Sequence, residues 1–133
     1  MKTAFRIGLA AVAAALISVP AGAQDPPPGE KLYADNCQAC HQKEGAGITG
    51  AFPTLAASPF VQGDPVLLAT TVLNGRGGMP AYKSDLTDQQ LSDVLTYVRS
   101  VWGNKAEPIT TEQVAATRAA ADAPAKPKDL LAH

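Results

Sequence analysis

The chain is short of most of the residues that carry metal and redox chemistry: its 133 residues include two cysteines, two histidines, two methionines and one tryptophan. A closed structural zinc site wants four ligands, and the second histidine, His133, stands at the far C-terminus, so zinc lacks a ligand set. No alternating or β-branched run surrounds Cys37, which argues against a thioredoxin-like redox pair beside a βαβ unit. There is no internal repeat and no convincing strand pattern. Surplus basic charge is also absent: eleven Lys and Arg face twelve Asp and Glu. Nucleic acid is therefore not an expected partner.

What the chain does have is concentrated. Both cysteines fall in one frame, Cys37-Gln38-Ala39-Cys40-His41, which is the signature of covalent haem c attachment. Two thiols at this spacing can form thioethers with the two vinyl groups of one porphyrin, and the adjacent imidazole can bind the iron. A disulfide between Cys37 and Cys40 would close a very short loop and leave His41 unexplained.

The N-terminus supplies a compartment suited to this chemistry. Lys2 and Arg6 form a basic n-region, residues 7–19 an apolar h-region, and Ala21-Gly22-Ala23 a small-x-small cleavage site. Residues 1–23 read as a secretory signal peptide, interrupted by Ser18 and Pro20 and too short for a retained span. No second apolar run of that length follows, so no transmembrane segment is expected in the mature chain, which is placed in an oxidising space, the periplasm. Without Lys2 and Arg6, nine basic residues face twelve acidic ones, a formal charge of −3. About 110 residues then remain, one small domain whose thin core a buried porphyrin would fill.

Three helices are expected. A proline-rich lead (24–28) ends where residues 29–36 turn helical, with Leu32 and Tyr33 on one side, delivering Cys37. The second helix runs from an Asp64 N-cap and Pro65 to Gly75. The third opens on the capping box Thr87/Gln90, carries Leu91, Val94, Leu95, Val98 and Val101/Trp102 at helical spacing, and is expected to end at Gly103. Helices joined by Gly/Pro-rich loops around one covalently bound haem make the fold class all-α. Beyond a domain at 29–104, residues 105–133 form an Ala/Pro/Lys-rich tail. Within it, Thr110/Gln113 is a second capping box that can lead a short helix at 111–120, the alternative being a disordered extension.

The sixth position of iron bound by His41 decides between carrier and enzyme. After removal of the signal peptide, Met79 is the sole methionine, set in Gly77-Gly78-Met79-Pro80-Ala81. The glycines let the backbone approach a porphyrin face and the proline stiffens the exit, whereas a core methionine is normally found on an amphipathic element. His/Met ligation is the arrangement of cytochromes c.

Together these residues resemble a class I cytochrome c. The frame is Gly29-x-x-Leu32-Tyr33, Cys37-x-x-Cys40-His41, Phe52-Pro53-x-Leu55-Ala56, Gly78-Met79-Pro80-Ala81, and Leu86-x-Asp88 through Tyr97-Val98-Arg99-x-x-Trp102-Gly103-Asn104. The chain is similar to bacterial monohaem cytochromes and to cytochrome domains or subunits of periplasmic dehydrogenases. The resemblance implies the small cytochrome c fold, with the Pro53 carbonyl accepting from His41 Nδ1–H and Gly29 and Tyr97 at a crossing of terminal helices. Tyr33, Tyr97 and Trp102 read as core aromatics, while Arg76, Tyr82 and Trp102 are candidates for contact with haem propionates.

A saturated iron leaves one-electron transfer and no catalytic residues, so the chain is expected to be a periplasmic electron carrier and not itself an enzyme. Its partners are then a redox donor and acceptor, such as a dehydrogenase, an oxidase or another cytochrome. They would dock at a small uncharged patch near Cys37, Gln38 and residues 78–81. One alternative is a cytochrome subunit of a periplasmic dehydrogenase, passing electrons to the respiratory chain. The other is a haem enzyme or gas sensor with a displaceable Met79.

Overall fold

A computed structural model describes residues 27–123, and the signal-peptide reading, residues 24–26 of the lead, His133 and the last ten residues of the tail lie outside the described residues. Six helices follow one another: α1 (Pro28–Asn36), α2 (Gln38–His41), α3 (Pro59–Gln62), α4 (Pro65–Asn74), α5 (Asp88–Ser100) and α6 (Thr111–Asp122). Among the described residues there is no strand, only isolated β-bridges at Ile48/Phe52 and Arg76/Met79. The fold is all-α, with one-turn helices α2 and α3 added to the three expected and α6 packed as a fourth long one.

Local chemistry sets each start. Pro28 takes the first position of α1, where its missing N–H costs nothing. Asp64 Oδ1 accepts from Val66 N at 2.8 Å and opens α4, which Gly75 closes at φ 72°. Both capping boxes form, Thr87 with Gln90 and Thr110 with Gln113, each satisfying otherwise orphaned donors at a helix start.

α1 crosses α5 closely. A Cβ on Gly29 would stand 2.6 Å from Tyr97 Cβ, so only glycine permits this approach. Tyr33 from α1, Leu73 from α4, Leu91 and Val94 from α5, and Ile109 and Val114 around α6 form one buried core.

Two boundaries differ from expectation. α5 ends at Ser100, not Gly103: Val101 is extended and Trp102 takes φ 54°. The helical spacing of Val101 and Trp102 is broken by a stronger local demand. The Trp102 ring packs 4.8 Å from that of Tyr33 and 5.6 Å from that of Tyr97, while the buried Asn104 side chain donates to the Leu55 and Val98 carbonyls and accepts from Ser58 N. The packed body also continues past Asn104. Ile109 and Val114 are 2% and 0% exposed, and Ser92 Oγ donates to the Ile109 carbonyl, so α6 docks on α5 and α4.

Candidate functional site

Cys37 ends α1 and at once begins the next turn: its N–H bonds the Tyr33 carbonyl, and its own carbonyl accepts from Cys40 and His41. The turn sets Cys37, Cys40 and His41 at i, i+3 and i+4, the spacing that puts side chains on one helix face. Both cysteines are free thiols. Burial, then the neighbouring Cys40, pushes the Cys37 thiol up to about 11.

His41 is 8% exposed, and its Nδ1 lies 3.0 Å from the Pro53 carbonyl. A carbonyl can only accept, so Nδ1 is the donor of this pair and Nε2 is the ring nitrogen left free of it. This contact fixes the orientation of the ring, as a hydrogen bond to the other nitrogen does for a ligating histidine. The 42–56 loop holds this arrangement. Tyr33 OH donates to the Gln42 carbonyl at 2.6 Å, Gly47 N to the His41 carbonyl at 2.9 Å, and Leu55 N to the Gly45 carbonyl at 2.7 Å. Gly45 takes φ 65° against the Trp102 ring, where a Cβ would come within 2.5 Å.

Met79 is half-buried in the loop between α4 and α5. Its N–H and carbonyl pair with the carbonyl and N–H of Arg76 at 3.0 and 3.3 Å. The glycine this turn needs most is Gly75, where a Cβ would stand 2.5 Å from the Met79 carbonyl oxygen. Beyond Met79, Tyr82 N bonds the Val72 carbonyl and Tyr82 OH the Asn36 carbonyl at 2.6 Å, tying this loop to the residue before Cys37. Burial, then Cys37 and Cys40, raises the Tyr82 phenol.

The other named residues divide. Arg76 is exposed, its guanidinium 5.9 Å above the Phe60 ring. Trp102 belongs to the aromatic trio with Tyr33 and Tyr97. Sequence reasoning missed three anchors. Asn104 ties three segments. Arg99, 4% exposed, donates to the Glu107, Val61 and Gly63 carbonyls. Arg118 clasps the loop after Met79 from α6. No local spacing announces such contacts.

The donor set fits a covalently tethered haem: two thiols on one turn, an oriented imidazole and a thioether in a glycine-shaped turn. Five large apolar side chains also stay more than a third exposed: Ile48 and Phe52 beside the His41 loop, and Phe60, Val66 and Leu67 on α3 and α4. A flat apolar guest seated against such surface would cover it.

Residues 24–98 match the family described as cytochrome c oxidase, cbb3-type, subunit III. The chain is 37% identical over 90 residues to the cytochrome c subunit of an alcohol dehydrogenase (quinone) from Gluconobacter oxydans, covering 59% of this chain and 19% of that one. It is 40% identical over 82 residues to cytochrome c6 of Gloeothece citriformis, covering 59% and 74%. Against a cbb3-type oxidase subunit of Azospirillum brasilense the identity is 33% over 84 residues, covering 58% and 28%. The chain thus spans about a fifth of the dehydrogenase subunit it resembles.

Proposed function

Since this chain belongs to the class I c-type cytochromes and is an electron-transfer protein, we propose that it carries one haem c bound through Cys37 and Cys40, with His41 and Met79 as the axial ligands. The haem would supply a one-electron iron couple. The chain's own residues do the rest. Cys37 and Cys40 tether, His41 presents Nε2 because Pro53 holds Nδ1–H, and Met79 offers a soft, neutral sulfur that fills the opposite side against external ligands.

The observation that carries this reading is the His41 to Pro53 contact of 3.0 Å next to two free thiols. The optical spectrum of the holoprotein tests it. A methionine-to-iron charge-transfer band when oxidised, and carbon monoxide binding when reduced that is far slower than in Met79→Ala, is the expected pair. Carbon monoxide binding by the unaltered protein as fast as by Met79→Ala would overturn Met79.

Secretion to the periplasm is part of the same proposal, resting on residues 1–23; no described helix is long and apolar enough to cross a membrane. A second reading, a cytochrome subunit attached to a dehydrogenase, is favoured by the alcohol dehydrogenase and gluconate 2-dehydrogenase cytochrome c subunits among the relatives. Purification from the native host decides: a larger redox subunit retained through size exclusion supports the attached form, and a lone small cytochrome supports the free carrier.

A further inference from the structure

The loop of residues 75–87 joins α4 to α5 and contains Met79; its internal support is the short Arg76/Met79 pairing and a turn in which Asp85 N and Leu86 N donate to the Tyr82 carbonyl. Its middle is held by α4 and α1 through Tyr82 and by Lys83 N on the Leu73 carbonyl. Its far half is held by α6. Arg118 donates from Nη1 to the Lys83 carbonyl, from Nη2 to the Leu86 carbonyl at 2.8 Å, and from Nε to Asp88 Oδ1 at 2.6 Å. Lys83 also pairs with Asp122 near the end of α6.

We propose that α6 is a strap and Arg118 its clasp, holding the 79–86 segment shut so that Met79 keeps its place in the site. Arg118 is a positioning residue: it touches the loop and not the donor atoms. The inference rests on Met79 being a ligand, and both α6 and Arg118 lie beyond the matched residues 24–98.

The geometry supports this division of labour. α6 has its own seat, Val114 in the core and the Ile109 carbonyl on Ser92 Oγ, so it stays docked when the clasp is cut. The Arg118 fork is planar and takes two carbonyls and one carboxylate at once, which lysine cannot reproduce. Lys83 is four residues after Met79 and Leu86 seven, so without the Arg118 bonds the stretch that presents the sulfur is held only by Tyr82, by Lys83 N and by its own turns. A thioether is a weak, neutral ligand. Its advantage over an outside ligand is proximity, which falls as the open population of its loop rises.

The test uses reduced holoprotein and compares the unaltered chain with Arg118→Gln, Arg118→Lys and Met79→Ala. Carbon monoxide binding rates and amide exchange of residues 79–86 are read where denaturation curves show every variant folded. We expect Arg118→Gln to bind carbon monoxide at least about tenfold faster than the unaltered protein, with faster exchange in 79–86 and unchanged exchange in α1. Arg118→Lys should show the same direction, since the charge is kept and the fork is lost; it replaces Arg118→Gln should that variant not fold. Binding and exchange as in the unaltered protein, in whichever variant folds, overturn the strap. If the unaltered protein already binds as fast as Met79→Ala, the ligand assignment fails instead, and exchange in 79–86 alone then decides for or against the clasp.

Discussion

The two banks of the site are built on different plans. The His41 bank is local: the two thiols and the imidazole share one turn, and the ring, its carbonyl and the following residue are each bonded within twelve residues by Pro53, Gly47 and Tyr33. The Met79 bank is remote. Its loop has the short Arg76/Met79 pairing and a turn on the Tyr82 carbonyl, and its other anchors come from α1, α4 and α6, as far as 46 residues away for Tyr82 with Asn36. One bank is rigid by its own sequence and the other by the completed fold. On the proposed ligation, the tethered side would fix the cofactor while the other side would set how tightly the iron is closed.

The largest effect should come from the local bank. Replacing both Cys37 and Cys40 by serine removes every covalent anchor, so haem staining after denaturing electrophoresis should fall from full to none. Retained stain in the double variant would contradict the attachment. On the remote bank, Met79→Ala should keep the covalent haem and the helical far-ultraviolet spectrum, lose the charge-transfer band and gain fast carbon monoxide binding. If both banks were built alike, the two substitutions would damage assembly equally.

A third substitution probes a joint that serves the local bank from outside. Asn104→Ala leaves the Leu55 and Val98 carbonyls and Ser58 N–H without their partner in a buried place. A cost of about 2–4 kcal/mol is expected, read as a lowered denaturant midpoint, because stranded buried polar groups cost about 1–3 kcal/mol each with partial relaxation. The spectrum should be unchanged. A change in the charge-transfer band would mean that the joint reaches Met79 as well.

The same contrast governs what could be read in the sequence. The all-α class and three helix starts were legible because caps work over three or four residues. Asp64, Thr87 and Thr110 all act on N–H groups two or three positions on. The end of α5 was not legible, since Val101 and Trp102 continue the apolar spacing and only the Tyr33 and Tyr97 rings and buried Asn104 pull the chain out of the helix. Arg99 and Arg118 look like ordinary solvated charges; their carbonyl partners lie up to 38 and 35 residues away. Two of the candidate haem contacts, Tyr82 and Trp102, were legible as aromatics near the site, but their structural ties could be assigned only from tertiary packing.

The smallest expected effect concerns the start of the strap. Glu112 sits in the first turn of α6, where backbone N–H, then the Thr110 hydroxyl, holds its carboxyl below the usual carboxylate range. A group depressed in the folded state stabilises above its unfolded pKa and loses that contribution as pH falls through the folded one. Stability should therefore decline slightly on acidification, and Glu112→Gln should flatten only that part of the curve. The group is fully exposed, so the shift in thermal midpoint should be small and shrink further in high salt. Because α6 is seated independently through Val114, the carbon monoxide rate of Glu112→Gln should match the unaltered protein at neutral pH. A faster rate would mean that the first turn of α6, and not only the Arg118 clasp, governs the Met79 bank.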